Sequence, residues 1–138
     1  MPWPEDITEP EGAWPESVNT DLSRLVAAAA DLCRKPLRHA VVTLAVNGDL
    51  DRCLCLQVRT PEGERMPGED LDLEIYRSGE DLHFTLAWTT FEERPMLWQG
   101  NHPVWMDGNS GARCERPPNG LQLEALARRL RALLVGAS

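Results

Sequence analysis

The chain has 138 residues, 42% of them hydrophobic, and its 22 carboxylates outnumber 14 lysines and arginines to give a formal net charge of −8. A length of this order fits one domain that buries roughly two thirds of the surface of its unfolded chain, while an acidic balance argues against nucleic acid as the main partner, because phosphates need a basic face. The longest purely apolar run, Leu25 to Ala30, falls far short of the ~20 residues of a membrane span, and the Met-Pro-Trp-Pro-Glu-Asp start has neither the basic nor the apolar region of a signal peptide; the expectation is a cytoplasmic protein with no membrane partner.

Residues 1–18 hold four prolines, five carboxylates and two tryptophans, Trp3 and Trp14, each followed by proline. Such a segment cannot form regular helix or a central strand, and it is assigned as an N-terminal arm, with Trp3 and Trp14 as candidate partner-binding residues. Residues 19–138 are assigned to a single α+β domain. After Asn19 and Thr20, either a good N-cap, apolar residues recur at Leu22, Leu25, Val26, Ala29, Leu32 and Cys33, one face of a helix that must end before Pro36.

His39 to Val46 and Cys53 to Arg59 flank a turn-forming Asn47-Gly48-Asp49, the signature of a β-hairpin. Alternation places Leu54, Leu56 and Val58 on one face and Cys53, Cys55, Gln57 and Arg59 on the other. Thr60 to Asp70, with its prolines, glycines and carboxylates, shows no period and reads as a mobile loop. A second hairpin follows around Ser78 to Asp81, with Leu71, Leu73, Ile75, Leu82, Phe84, Leu86 and Trp88 inward and His83 outward. Two short strands, Met96–Trp98 and Val104–Met106, precede a C-terminal helix capped by Asn119 with Gln122. Its stripe is Leu123, Leu126, Ala127, Leu130, Leu133 and Leu134, it ends at Gly136, and Glu124 and Arg128 are spaced to pair.

Helix, strands, helix in that order predict an α+β two-layer sandwich: an antiparallel meander of about four to six strands, with an N-terminal and a C-terminal helix packed on one face. The opposite sheet face, carrying Cys53, Cys55, His83 and several charges, is left exposed or bound to something.

The reactive side chains crowd between Trp98 and Cys114. His102 with Cys114, or His102 with Ser110 and Asp107, supplies the residue types of nucleophilic catalysis, although no nucleophile elbow surrounds Ser110. Cys53 and Cys55 present two thiols to one face and, with Cys114 and His83 or His102, form a weak metal set lacking the second close pair of structural zinc. Two thiols at this spacing on a strand are badly placed for a disulfide, so free cysteines are expected. Asp107-Gly-Asn-Ser-Gly resembles a calcium loop only loosely, because Pro118 stands where a bidentate glutamate is required; turn chemistry explains it as well. No cofactor is expected.

Trp98 and Trp105 are read as cross-strand neighbours that are partly buried, or else as a patch for a partner with Met96 and Met106. Residues 1–93 carry a net −11 and residues 94–138 a net +3, and Arg128, Arg129 and Arg131 lie on the polar side of the last helix. This asymmetry, with no catalytic motif matched, predicts a non-enzymatic protein-binding module of the inhibitor, immunity or chaperone-adaptor kind that docks a basic partner. A homodimer, with opposite patches meeting between subunits, is a further expectation. The alternative is a small metal- or cysteine-dependent enzyme using His102, Asp107 and Cys114.

Overall fold

The computed structural model describes residues 16–46 and 51–134. It consists of helix α1 (Glu16–Cys33), strands β1 (Arg38–Val46), β2 (Arg52–Arg59), β3 (Leu71–Ser78), β4 (Asp81–Trp88), β5 (Met96–Gln99) and β6 (Pro103–Met106), and helix α2 (Gly120–Leu134). The strands form one antiparallel sheet in the order β1-β2-β3-β4-β5-β6. Sequential hairpins explain that order, since each turn returns the chain to its neighbour.

Alternation along the strands supplies one apolar face. Leu54, Leu56, Leu71, Leu73, Ile75, Phe84, Leu86, Trp88 and Leu97 are buried there against Val26, Ala29 and Ala30 of α1 and Leu123, Leu126, Ala127 and Leu130 of α2. Both helices therefore cover the same face, and the α+β sandwich expected from the sequence is the observed fold. Each fully buried leucine or phenylalanine contributes roughly 1.5–3 kcal/mol relative to exposure.

Several local expectations are corrected. Helix α1 starts at Glu16, so Asn19 and Thr20 lie within it rather than capping it, and it takes in the last residues assigned to the arm. Leu32 is 47% exposed, whereas Ala30 is fully buried. At 3.6 residues per turn, Leu32 lies roughly 100° from the centre of the stripe and Ala30 only about 60°. Leu133 has a similar offset on α2 and is also exposed. Asn119 adopts φ 67°, a left-handed conformation that asparagine tolerates better than most residues, not the extended geometry of an N-cap. Trp3, Trp14, the Asn47-Gly48-Asp49 turn and Gly136 lie outside the described residues.

The stretch from Thr60 to Asp70 is not an irregular loop. It contains a bridge between Arg59 and Arg65 and a 3-10 turn at Pro67–Glu69. Charged groups that periodicity cannot see hold it in place. Asp70 accepts the Val58 amide N–H at 2.8 Å and two guanidinium bonds from Arg65 at 3.0 and 2.7 Å. Just past α1, the buried Arg34 donates to the Glu69 carboxylate at 2.9 Å and to the Glu69 carbonyl at 3.2 Å.

Arg34 also meets Nε2 of His39 at 3.1 Å, while Nδ1 of His39 lies 2.9 Å from Asp31. A guanidinium only donates, so Nε2 is the acceptor and Nδ1 carries the proton toward Asp31. Burial, with Arg34 and Arg38 adding to it, pushes the His39 pKa below its ordinary 6.5 against the pull of Asp31. The unfolded chain then binds the proton more readily, so this contribution to stability is complete above the ordinary value and is lost as pH falls through it. Melting temperature should drop between about pH 7.5 and about pH 5.5, and His39→Gln should flatten that segment of the profile; identical profiles for the two proteins would refute the assignment.

Candidate functional site

With both helices on one side, the other face of the sheet has no helix over it among the described residues. Strand register fixes which side chains it carries. One row runs Val42, Cys55, Asp72, Ala87; the next runs Cys53, Glu74, Thr85, Trp98, Val104. Met96 and Met106 pair on the same side, and Tyr76 pairs with His83. The face is thus mixed, with Gln57, Arg38 and Arg59 at its β1–β2 end, apolar side chains over much of the rest, and two carboxylates near its middle. Val42 is 40% exposed and Leu44, displaced by a register shift in β1, is 62% exposed.

Leu44, Cys53, Asp72, Glu74, Thr85 and Ala87 line a depression of about 280 Å³ on this face. Asp72 accepts the Thr89 hydroxyl at 2.8 Å. Among the described residues, neither Asp72 nor Glu74 has a cationic side chain within ion-pair distance. Their field registers in the neighbouring thiols: burial raises the pKa of Cys53 and of Cys55, and the charges of Glu74, Asp72 and Asp51 at Cys53, and of Asp72 and Asp70 at Cys55, raise them further. Both thiols are therefore held protonated at neutral pH, the opposite of an activated nucleophile.

At the β4–β5 side of the face, His83 stacks on Trp98 with ring centroids 5.1 Å apart, and the Trp98 indole donates to the Tyr76 hydroxyl at 2.9 Å. The indole lies over Gly100, where a Cβ would come within 2.5 Å of its ring. Trp98 is half-buried and belongs to the outer face.

Trp105 does not share that face. Leu97 pairs with Trp105 and Trp98 with Val104, so the two tryptophans point to opposite sides, correcting their reading as cross-strand neighbours. Trp105 is buried, lies 6.4 Å from Trp88 ring to ring, and donates its indole N–H to Glu124 at 2.7 Å. Arg116 and Arg128 complete the carboxylate's surroundings at 3.3 and 3.8 Å, the latter being the pair expected one turn apart on α2.

His102 and Asp107 flank the two ends of β6, separated by its four residues, which is roughly 16 Å of extended chain. His102 is exposed in the β5–β6 turn. Asp107 accepts the backbone N–H groups of Asn109 and Ser110 at 2.7 and 2.9 Å, which hold its carboxyl below the usual range. The Ser110 hydroxyl accepts the Ala112 N–H at 3.2 Å, so both side chains are engaged in a local turn. Gly111 in that turn has φ 77°, and Gly108 abuts the backbone of residues 92–94, where a Cβ would meet the Glu92 carbonyl at 2.4 Å. Cys114 is half-buried against the core, its amide bonded to the Trp105 carbonyl. The structure does not assemble His102, Asp107, Ser110 and Cys114 into one constellation.

Cys53 and Cys55 are separated from His83 by β3. Among the described residues, no group of three or more histidines, cysteines or carboxylates is arranged to hold a metal ion. Arg131, assigned to a polar strip, instead bonds the Leu82 carbonyl and the Asn101 side chain, each at 3.1 Å. Asp72 and Glu74 were missed as candidates because alternating charges on a strand look like an ordinary solvated face. The signal available was their position opposite Cys55 and Cys53 on the outward face.

No described helix is long and apolar enough to cross a membrane. The family model of a domain of unknown function (DUF8659) matches residues 23–133, and the chain belongs to that family. No curated protein and no solved structure matches it.

Proposed function

We propose that this member of the family is a protein-binding module whose docking surface is the helix-free face of its sheet, and that the partner presents a basic side chain among apolar ones. The observation that carries this reading is the pair Asp72 and Glu74, set side by side in a depression otherwise lined by Leu44, Cys53, Thr85 and Ala87, with no cation within ion-pair distance among the described residues. Exposed apolar patches of this kind mark interaction sites. A lysine or arginine seated in the depression would neutralise both carboxylates while its aliphatic stem lies along Leu44.

The reading keeps the net acidity of residues 1–93 as a steering field that favours basic partners over acidic ones. It gives the half-buried thiols of Cys53 and Cys55 a packing role and leaves Trp98 as a rigid aromatic anchor on the rim.

Fluorescence-labelled peptides alternating apolar residues with lysine should bind the protein with an affinity that falls steeply with salt, whereas the same peptides with glutamate should not bind. An Asp72→Asn, Glu74→Gln double variant should weaken the lysine peptides about tenfold, or about 1.4 kcal/mol, and remove most of the salt dependence. Equal binding of lysine and glutamate peptides, or no effect of the double variant, would sink the proposal.

A further inference from the structure

We propose that two copies of this chain join edge to edge through β1, in antiparallel pairing about a two-fold axis beside Val42, so that one continuous sheet runs across both. The two edges of the sheet are not alike. Beyond β6 the chain closes the edge itself: Met106 bridges Arg113, the Cys114 N–H donates to the Trp105 carbonyl, and the Asp107 N–H donates to the Ala112 carbonyl. Beyond β1 no strand lies among the described residues.

The direction of the free groups follows from one bond. The His39 amide N–H donates to Asp31 on α1, not to β2. Hydrogen-bonding direction alternates along an antiparallel strand, so the N–H and C=O groups of Val41 and Thr43 also point away from β2. No bond to them appears from any described residue outside β1 and β2. Natural edges are usually blunted by charge or proline; β1 has no proline, and its lone charge, Arg38, stands at its first residue and pairs with Asp31 on α1.

A second copy fits this edge in shape. With Val42 facing its own counterpart, Val41 lies opposite the second copy's Thr43, and the two residues exchange both backbone bonds, twice over by symmetry. On the outer face small Ala40 then meets the second copy's Leu44, the most exposed large apolar residue of β1. Leu32 stands exposed on α1 in an open cavity of about 440 Å³ formed with Leu37 and Arg38, adding apolar surface beside the same edge. The two surfaces share Leu44, but Asp72 and Glu74 on β3 stay uncovered in this arrangement, so variants at Asp72 and Glu74 test the docking function apart from this inference.

Sedimentation equilibrium of the full chain from low to high micromolar concentration tests it. The wild-type protein should show a monomer–dimer equilibrium. Val42→Lys sets like charges opposite one another at the axis, and Thr43→Pro removes an edge-facing N–H without touching a bond to β2; each should weaken the dimer at least about tenfold while the circular dichroism spectrum stays that of the wild type. A monomer at every concentration overturns the proposal, as does a dimer that withstands Val42→Lys, which decides the matter should the proline variant fail to fold.

Discussion

Asp70→Ala is expected to lower the unfolding free energy by roughly 2–4 kcal/mol, although the residue sits outside every regular strand and helix. Its carboxylate accepts three bonds, one from the Val58 amide and two from Arg65, while its own backbone carbonyl accepts the Thr89 N–H. Alanine would strand a buried amide of β2 and release Arg65, uncoupling the Thr60–Asp70 segment from the sheet. Burial opposes the charge of Asp70, but the Arg65 bonds, the Val58 N–H and the Arg34 charge outweigh it and hold the carboxyl below the ordinary 3.8. A depressed folded pKa means that this stabilisation is complete above the ordinary value and disappears as pH falls through the folded one. Urea unfolding from about pH 7 down to about pH 3 should therefore show the wild type and the variant converging in acid; curves that stay parallel would show that the ionised carboxylate is not what anchors the segment.

That anchor illustrates which parts of the molecule can be read from the chain and which cannot. Leu71, Leu73 and Ile75, then Leu82, Phe84, Leu86 and Trp88, alternate so regularly that strand and inward face follow from spacing alone, and they are buried as expected. The contacts of Asp70, and of Arg34 with Glu69, depend on where two charged groups arrive after folding, and no local period encodes that. The tryptophans failed for a different reason. Gly100, Asn101 and His102 make a three-residue connection between β5 and β6, which pairs Leu97 with Trp105. A connection one residue shorter or longer would have placed Trp98 and Trp105 on the same face, because a single step of register inverts every side chain. Parity of a turn length is a small quantity for a sequence to leave undecided, yet here it separates a core residue from a surface one.

The consequence is testable on the two tryptophans together. Trp105→Ala should cost roughly 3–5 kcal/mol, as expected for removing a large aromatic side chain from a core, since the indole packs against Trp88 and the α2 side of the molecule. Trp105→Phe keeps much of that volume but withdraws the indole N–H from Glu124, leaving the carboxylate with Arg116 and Arg128 alone; the expected cost is about 1–3 kcal/mol, set by one charge-assisted hydrogen bond and a small loss of packing. Glu124→Gln in the same background should then cost less than it does in the wild type, because the partner it would have weakened is already gone. Trp98→Ala, by contrast, removes a half-buried ring that touches His83 and Tyr76 on the outer face, and should cost only roughly 1–2 kcal/mol while lowering affinity for the lysine-bearing apolar peptides. Urea unfolding of these five variants measures the stability order, and the peptide titration measures the second effect. If Trp98→Ala destabilised the protein as severely as Trp105→Ala, the outer face would have to be an interior surface of the folded chain, and a docking role for it would be untenable.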